Sequence, residues 1–205
     1  MDMDVPYLHT GRTNQKTRTR DALIAAARQL LAEGVTPTVE TAAAEASVGR
    51  TTAYRYFPNT RALLAATYPE IEERSLLGAD SPEDPLARLE IMAENFTQQI
   101  LEHEPELRAQ LRLALEGESA GGESLPFRRG RRIRWIEEAL SPLGGRMPES
   151  ELGRLVLGIG ATLGIEALVW LTDMGGLSRE EAVEVMRSNA RTLLRSALEP
   201  LESSE

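Results

Sequence analysis

The sequence predicts an all-α protein. Three observations carry that prediction. Apolar residues recur at helical spacing through most of the 205 residues. Glycine, proline and capping residues punctuate the stretches between them. No segment shows the alternation of apolar and polar side chains that a half-buried strand requires.

The elements are taken in chain order. A first helix is expected from about Thr19 to Glu33, with Leu23, Ala26, Ala27, Leu30 and Leu31 on one face and Gly34 as its stop. Thr38 caps a short second helix holding Ala42, Ala43 and Ala46. A tight break at Ser47-Val48-Gly49 leads into a third helix, about Arg50 to Tyr56, which Pro58 closes. Asn59 or Thr60 caps a fourth helix carrying Leu63, Leu64 and Tyr68. Gly78 to Pro85 reads as a loop, with helices next over about Pro85–Glu102 and Pro105–Gly117. Glu118 to Pro126 is the most loop-like stretch of the larger C-terminal part, and it precedes a helix over about Phe127–Leu140 and a proline- and glycine-rich turn. Two long apolar helices end the chain, about Ser150–Met174 and Ser178–Leu198, and the short turn between them predicts antiparallel packing.

Charge is spread unevenly. The total is −9, which by itself argues against a nucleic-acid partner. From Thr10 to Arg61, however, eight basic residues face four acidic ones, a net charge of +4. From Pro69 onward, 15 basic residues face 26 acidic ones, a net charge of −11, and Asp2 and Asp4 supply the rest. A small basic head precedes a large acidic body. Cysteine is absent, which excludes disulfides, thiol catalysis and cysteine-based zinc sites. His9 and His103 are too few for a multi-histidine metal cluster, so no metal and no cofactor are expected. The basic first twenty residues hold no apolar core of a secretory signal. The longest apolar run, about Leu155 to Leu171, falls short of the ~20 residues that span a bilayer. No membrane partner is expected, and the cytoplasm is the default location.

The first sixty residues carry the chemistry. Three short helices with a tight turn between the second and third suggest a helix-turn-helix, whose third helix enters the DNA major groove. Arg50, Thr51, Thr52, Tyr54, Arg55 and Tyr56 crowd that helix. Arginine reads guanine edges with two hydrogen bonds, threonine offers a hydroxyl and a methyl, and tyrosine hydroxyls donate to phosphate. The alternative on local pattern is an ordinary helical hairpin with a solvated face.

The stretch from Thr38 to Leu64, TVETAAAEASVGRTTAYRYFPNTRALL, resembles the DNA-binding domain of TetR-family transcriptional regulators. The resemblance covers about Thr19 to Tyr68. It implies a flexible basic arm over residues 1–18 (Arg12, Lys16 and Arg18, with Arg20 beside it), a helix-turn-helix domain over 19–68, and a helical ligand-binding and dimerisation domain over 69–205. By position, Thr38 and Val39 would meet the DNA backbone, Arg50, Thr51 and Thr52 would face base edges, and Tyr54 and Tyr56 would grip phosphates. The family pattern is not matched everywhere. Its turn glycine is Ser47, so a non-glycine residue is expected in a left-handed conformation. Its helix-three glycine is Thr51, and its phosphate-binding lysine is Thr60, whose hydroxyl or helix end would take over that contact. The implied function is that of a ligand-responsive repressor, not an enzyme. It would bind double-stranded operator DNA of near-palindromic sequence as a homodimer, and a small-molecule effector would release it.

For the body, the resemblance implies a dimer through the last two helices. The residues support it, because a helix apolar on nearly every side needs neighbours on every side. Met92, Phe96, Trp135 and Trp170 are the bulky candidates for an effector pocket, with Arg112 and Glu166 as charged ones. Glu166, alone in its apolar run, requires a partner: a ligand, or an arginine across the dimer. The competing expectation makes the tryptophans ordinary core. Five arginines between Arg128 and Arg134 are expected to form a solvated face that pairs with surplus carboxylates. Gly158, Gly160 and Gly164 imitate a dinucleotide-binding loop, but they lie in a helical run and are expected to permit close packing instead.

Overall fold

The computed structural model describes residues 7–67, 74–115 and 130–202, with side chains described over 15–199 within these ranges. The expected loop over Glu118–Pro126 and the residue Tyr68 lie outside them. The chain divides into two compact units, Met1–Glu70 with Pro105–Gly122, and Ile71–Glu104 with Glu123–Glu205. The all-α expectation holds: the described elements are helices throughout.

In the first unit, α1 spans Tyr7–Ala32, α2 Val39–Glu45, α3 Arg50–Tyr56 and α4 Thr60–Ala66. The helix α1 starts twelve residues before the expected Thr19, so the segment from Tyr7 to Arg18 is helical in place of the expected flexible arm. Thr19 returns its hydroxyl to the Gln15 carbonyl at 2.9 Å across this stretch. The other end closes as expected at Gly34, with a φ of +77°. Its amide donates to Leu31 and that of Val35 to Leu30, at 3.0 and 2.8 Å, which satisfies two terminal carbonyls.

The core of this unit is built from small residues. Leu23, Ile24 and Ala27 of α1 meet Val39, Ala42 and Ala43 of α2, with Ala53, Phe57 and Leu63 completing the cluster. Alanines at the crossings let the helices approach closely. From Pro105 on, α6 (Glu104–Leu115) belongs to the same unit. Gln110 donates to the Leu64 carbonyl, Arg61 to the Leu113 carbonyl at 3.3 Å, and Arg112 to the Thr36 hydroxyl at 3.2 Å. These bonds differ from the expectation of a single body starting at residue 69.

In the second unit, α5 spans Pro85–Glu102, α7 Arg131–Ala139, α8 Glu149–Thr162, α9 Ile165–Val169 and α10 Arg179–Glu202. Asp84 caps α5 by accepting the Ala87 amide at 2.7 Å, with Pro85 in the first turn where its missing N–H costs nothing. Ser178 and Glu181 form a reciprocal box at the start of α10, with bonds of 2.8 and 3.1 Å. The helix α10 packs on α5 and α8. The core is large-residue: Leu89, Met92, Ile100, Trp135, Ile136, Ile159, Leu168 and Met186 are all buried. An antiparallel ladder of ion pairs flanks it, Glu90–Arg191 at 2.7 Å, Glu94–Arg187 at 3.7 Å and Glu104–Arg179 at 2.6 Å.

The expected single helix over Ser150–Met174 is broken at Leu163–Gly164, and its pieces bend by 43°. The cause lies on α7. The Arg132 guanidinium donates to the Leu163 carbonyl at 2.7 Å and pairs with Glu166 at 3.1 Å. A Cβ on residue 164 would stand 1.9 Å from the guanidinium nitrogen, so glycine fits there because of close approach. Gly160 faces Ile136 and Gly158 faces Leu193, which explains the glycine spacing through packing. A π-helical turn, Trp170–Met174, comes directly after α9. Among the described residues no single helix is long and apolar enough to cross a membrane; the bent α8–α9 pair meets the criterion only by length and composition.

Candidate nucleic-acid interface

The turn between α2 and α3 sets the site. Ser47 takes a φ of 54°, the left-handed conformation expected of it, and among the described residues it is the non-glycine residue with positive φ. The Val48 amide returns to the Ala43 carbonyl at 2.8 Å and the Ser47 amide to Ala44 at 3.1 Å, so α2 stops abruptly. Buried Ala53 and Phe57 then fix α3 against α1 and α2. The outward side of α3 is left with Arg50, Thr51, Thr52, Tyr54 and Arg55 exposed.

Thr38 and Thr41 exchange bonds as a capping box at the start of α2. Val39, expected with Thr38 at the DNA backbone, is instead 2% exposed, and its side chain is core. Tyr56 is half-buried against the same core. Asn59, not Thr60, caps α4, accepting the Ala62 amide at 2.8 Å, and Thr60 is half-buried in the first turn. Lys16 and Arg18 are exposed on α1. Arg20 lies over the Phe57 ring at 5.8 Å. Arg12 falls on the part of α1 outside the described side chains.

One partner in this face is not legible from the motif. The Tyr54 hydroxyl donates to the Glu40 carboxylate, joining α3 to α2. That bond, above all, holds the Glu40 carboxyl below its ordinary value and pushes the Tyr54 phenol above its own. The two residues stand 14 apart across the turn, a separation that no local spacing rule covers. Arg55, outside the assigned roles, is as exposed as its neighbours.

The six effector candidates are divided between the two units. Met92 and Trp135 are buried, and Phe96 meets Trp135 edge-on with ring centroids 5.5 Å apart. Arg131 covers the other ring contact at 5.9 Å, so one arginine of the expected solvated run is buried rather than exposed. Trp170 is 64% exposed on the π-helical turn, away from a core role. Glu166 is half exposed, and its arginine partner, Arg132, belongs to the same chain rather than a second copy. Arg112 falls in the first unit with Thr36. A cleft of about 610 Å³ in the second unit is lined by Glu83, Asp84, Arg88 and Arg146 among others, none of them a candidate.

A short helix presenting arginine, threonine and tyrosine from a tight turn, on a three-helix core, has the arrangement of a helix-turn-helix. Residues 23–67 match the family described as bacterial regulatory proteins, tetR family. That segment, about a fifth of the chain, is similar to the DNA-binding domain of the family. Its fold is similar to that in the structure titled SmeT-Triclosan complex, at 19% identity and a TM-score of 0.56, covering 87% of this chain and 91% of that one. A TetR-family transcriptional regulator from Streptomyces coelicolor matches at 24% identity and a TM-score of 0.43, covering 87% of this chain and 98% of that one. No curated protein matches the chain.

Proposed function

We propose that the protein is a ligand-responsive repressor that binds a near-palindromic operator as a homodimer. The observation that carries this reading is the exposed α3 face, held by the left-handed turn at Ser47 over a buried alanine core. Arg50, Thr51 and Thr52 read base edges, while Tyr56, Thr60 and the basic residues Arg12, Lys16, Arg18 and Arg20 serve the phosphate backbone.

Dimerisation is supported by apolar side chains left open on the last helices. Leu157 of α8 is 62% exposed and Leu193 of α10 37%, with Gly158 beside Leu193. A second copy covers them, and two heads roughly 34–36 Å apart meet successive major grooves. The effector binds in the second unit, around Met92, Phe96 and Trp135. That SmeT, of similar fold, is described with triclosan supports the presence of an effector. The protein works where the DNA is, in the cytoplasm, and performs no catalysis.

Selection from random duplex DNA on the parental protein yields paired half-sites. On that selected DNA, Arg50→Ala lowers the affinity about tenfold or more, the equivalent of one bidentate base contact. Light scattering gives a dimer for both proteins. Equal binding by Arg50→Ala and the parent removes α3 as the reading helix, and a monomer at micromolar concentration removes the dimer.

A further inference from the structure

Glu40 stands on a face that phosphate recognition would leave cationic. It sits in the first turn of α2, and its carboxylate accepts the hydrogen bond of Tyr54 on α3. Arg50, which opens α3, acts on the same carboxylate through its charge. Neither Glu40 nor Tyr54 is buried, so their bond is not needed to fill the core. A phenol carries one hydrogen. While that hydrogen is given to Glu40, Tyr54 turns only lone pairs outward and has nothing to donate to a phosphate oxygen. The carboxylate is itself an anionic oxygen acceptor, the chemistry a phosphate would bring.

We propose that Glu40 limits the affinity of the protein for DNA by acting as an internal stand-in for phosphate, occupying the Tyr54 hydroxyl and offsetting the Arg50 charge until a duplex displaces it. The inference rests on the DNA-binding reading of α3. Backbone contacts carry no sequence information, so the cost falls on every duplex alike. Through the Tyr54 hydroxyl and its own charge, Glu40 thus restrains binding to every duplex and leaves the order of preferred sequences unchanged. The opposite directions of the two ionisations, Glu40 downward and Tyr54 upward, agree with one shared hydrogen bond as their main cause.

The test uses the full-length parent with Glu40→Ala, Glu40→Gln, Tyr54→Phe and the double variant Glu40→Ala/Tyr54→Phe. Two probes are titrated at fixed salt: a short mixed-sequence duplex, and the pool enriched from random DNA on the parent. Glu40→Ala binds both about three- to tenfold tighter at ~50 mM salt, since one anion is removed from a phosphate-facing surface. Glu40→Gln keeps an acceptor and loses only the charge, so it falls between; it also serves as the readout if the alanine variant frays α2. Tyr54→Phe alone changes affinity by less than about twofold, because it removes the bond to Glu40 and the potential phosphate donor together, but it reverses part of the gain when added to Glu40→Ala. The proposal is overturned if Glu40→Ala and Glu40→Gln bind no tighter than the parent, or if Tyr54→Phe has the same effect in both backgrounds. A loss confined to the selected pool also overturns it, because Glu40 would then be reading a base. A parent that binds neither probe refutes the DNA-binding reading itself, and the proposal with it.

Discussion

The two units are held together by opposite means. The first, which holds the basic stretch from Thr10 to Arg61, closes over alanines: Ala27, Ala42, Ala43 and Ala53 lie in its core, and capping bonds at Thr38 and Asn59 start its short helices. The second, acidic in sequence, buries leucines, isoleucines and Trp135, and it braces α10 with three arginine–glutamate pairs. Small residues set the close spacing that aims α3 outward. Large ones supply burial where aim matters less. The whole-chain charge of −9 averages these two constructions, which is why it misleads about DNA.

That contrast predicts opposite sensitivities to size. Leu89→Ala empties a fully buried site in the second unit and costs about 2–5 kcal/mol in chemical denaturation. Ala42→Leu overfills the first unit and costs about 1–3 kcal/mol, with DNA binding lost out of proportion because α3 is tilted. If Ala42→Leu were neutral in both respects, close packing would not be what sets α3.

Two backbone positions sharpen the comparison at smaller scale. Gly164→Ala pushes Arg132 off the Leu163 carbonyl and off Glu166. The displaced group is the mobile end of a side chain, so the expected loss is about 1 kcal/mol, the worth of a hydrogen bond, read as a lowered denaturant midpoint. Ser47→Gly acts in the other direction. It relieves a left-handed serine and raises stability by up to about 1 kcal/mol, with DNA affinity unchanged.

The smallest expected effect belongs to the Glu40–Tyr54 bond. Glu40 has its ionisation lowered, so the stability it adds is present above its ordinary value of 4.5 and is lost as pH falls through the lowered one. Tyr54 has its ionisation raised, so its share is present below 10.0 and is lost as pH rises through the raised value. Between the two the bond adds no slope. Tyrosinate absorbance in Glu40→Gln, compared with the parent, shows one tyrosine ionising at lower pH in the variant.

Local rules make much of the first unit legible in the sequence. Gly34 and Thr38 each announce a helix end through their own conformational preferences, Ser47 only by standing where the family pattern has glycine, and the structure has each one in that role. The start of α1 is not announced, because residues 9–18 are polar and give no apolar stripe to read. The break at Gly164 is hidden for a different reason: the group that makes it, Arg132, lies 31 residues before Leu163. Arg112 looks like part of an apolar helix, yet its bond is to Thr36, 76 residues away. Glu40 is hidden in the same way. The effector candidates, chosen by size and charge alone, are divided between the two units because those properties carry no information about which helices meet.

The most direct test compares the parental protein on its selected duplex and on a mixed-sequence duplex at one physiological salt concentration. A reading helix built from Arg50, Thr51 and Thr52 predicts at least about a thousandfold preference for the selected DNA, the usual gap between specific and non-specific binding. Equal affinity for the two duplexes would contradict it and leave α3 a solvated face.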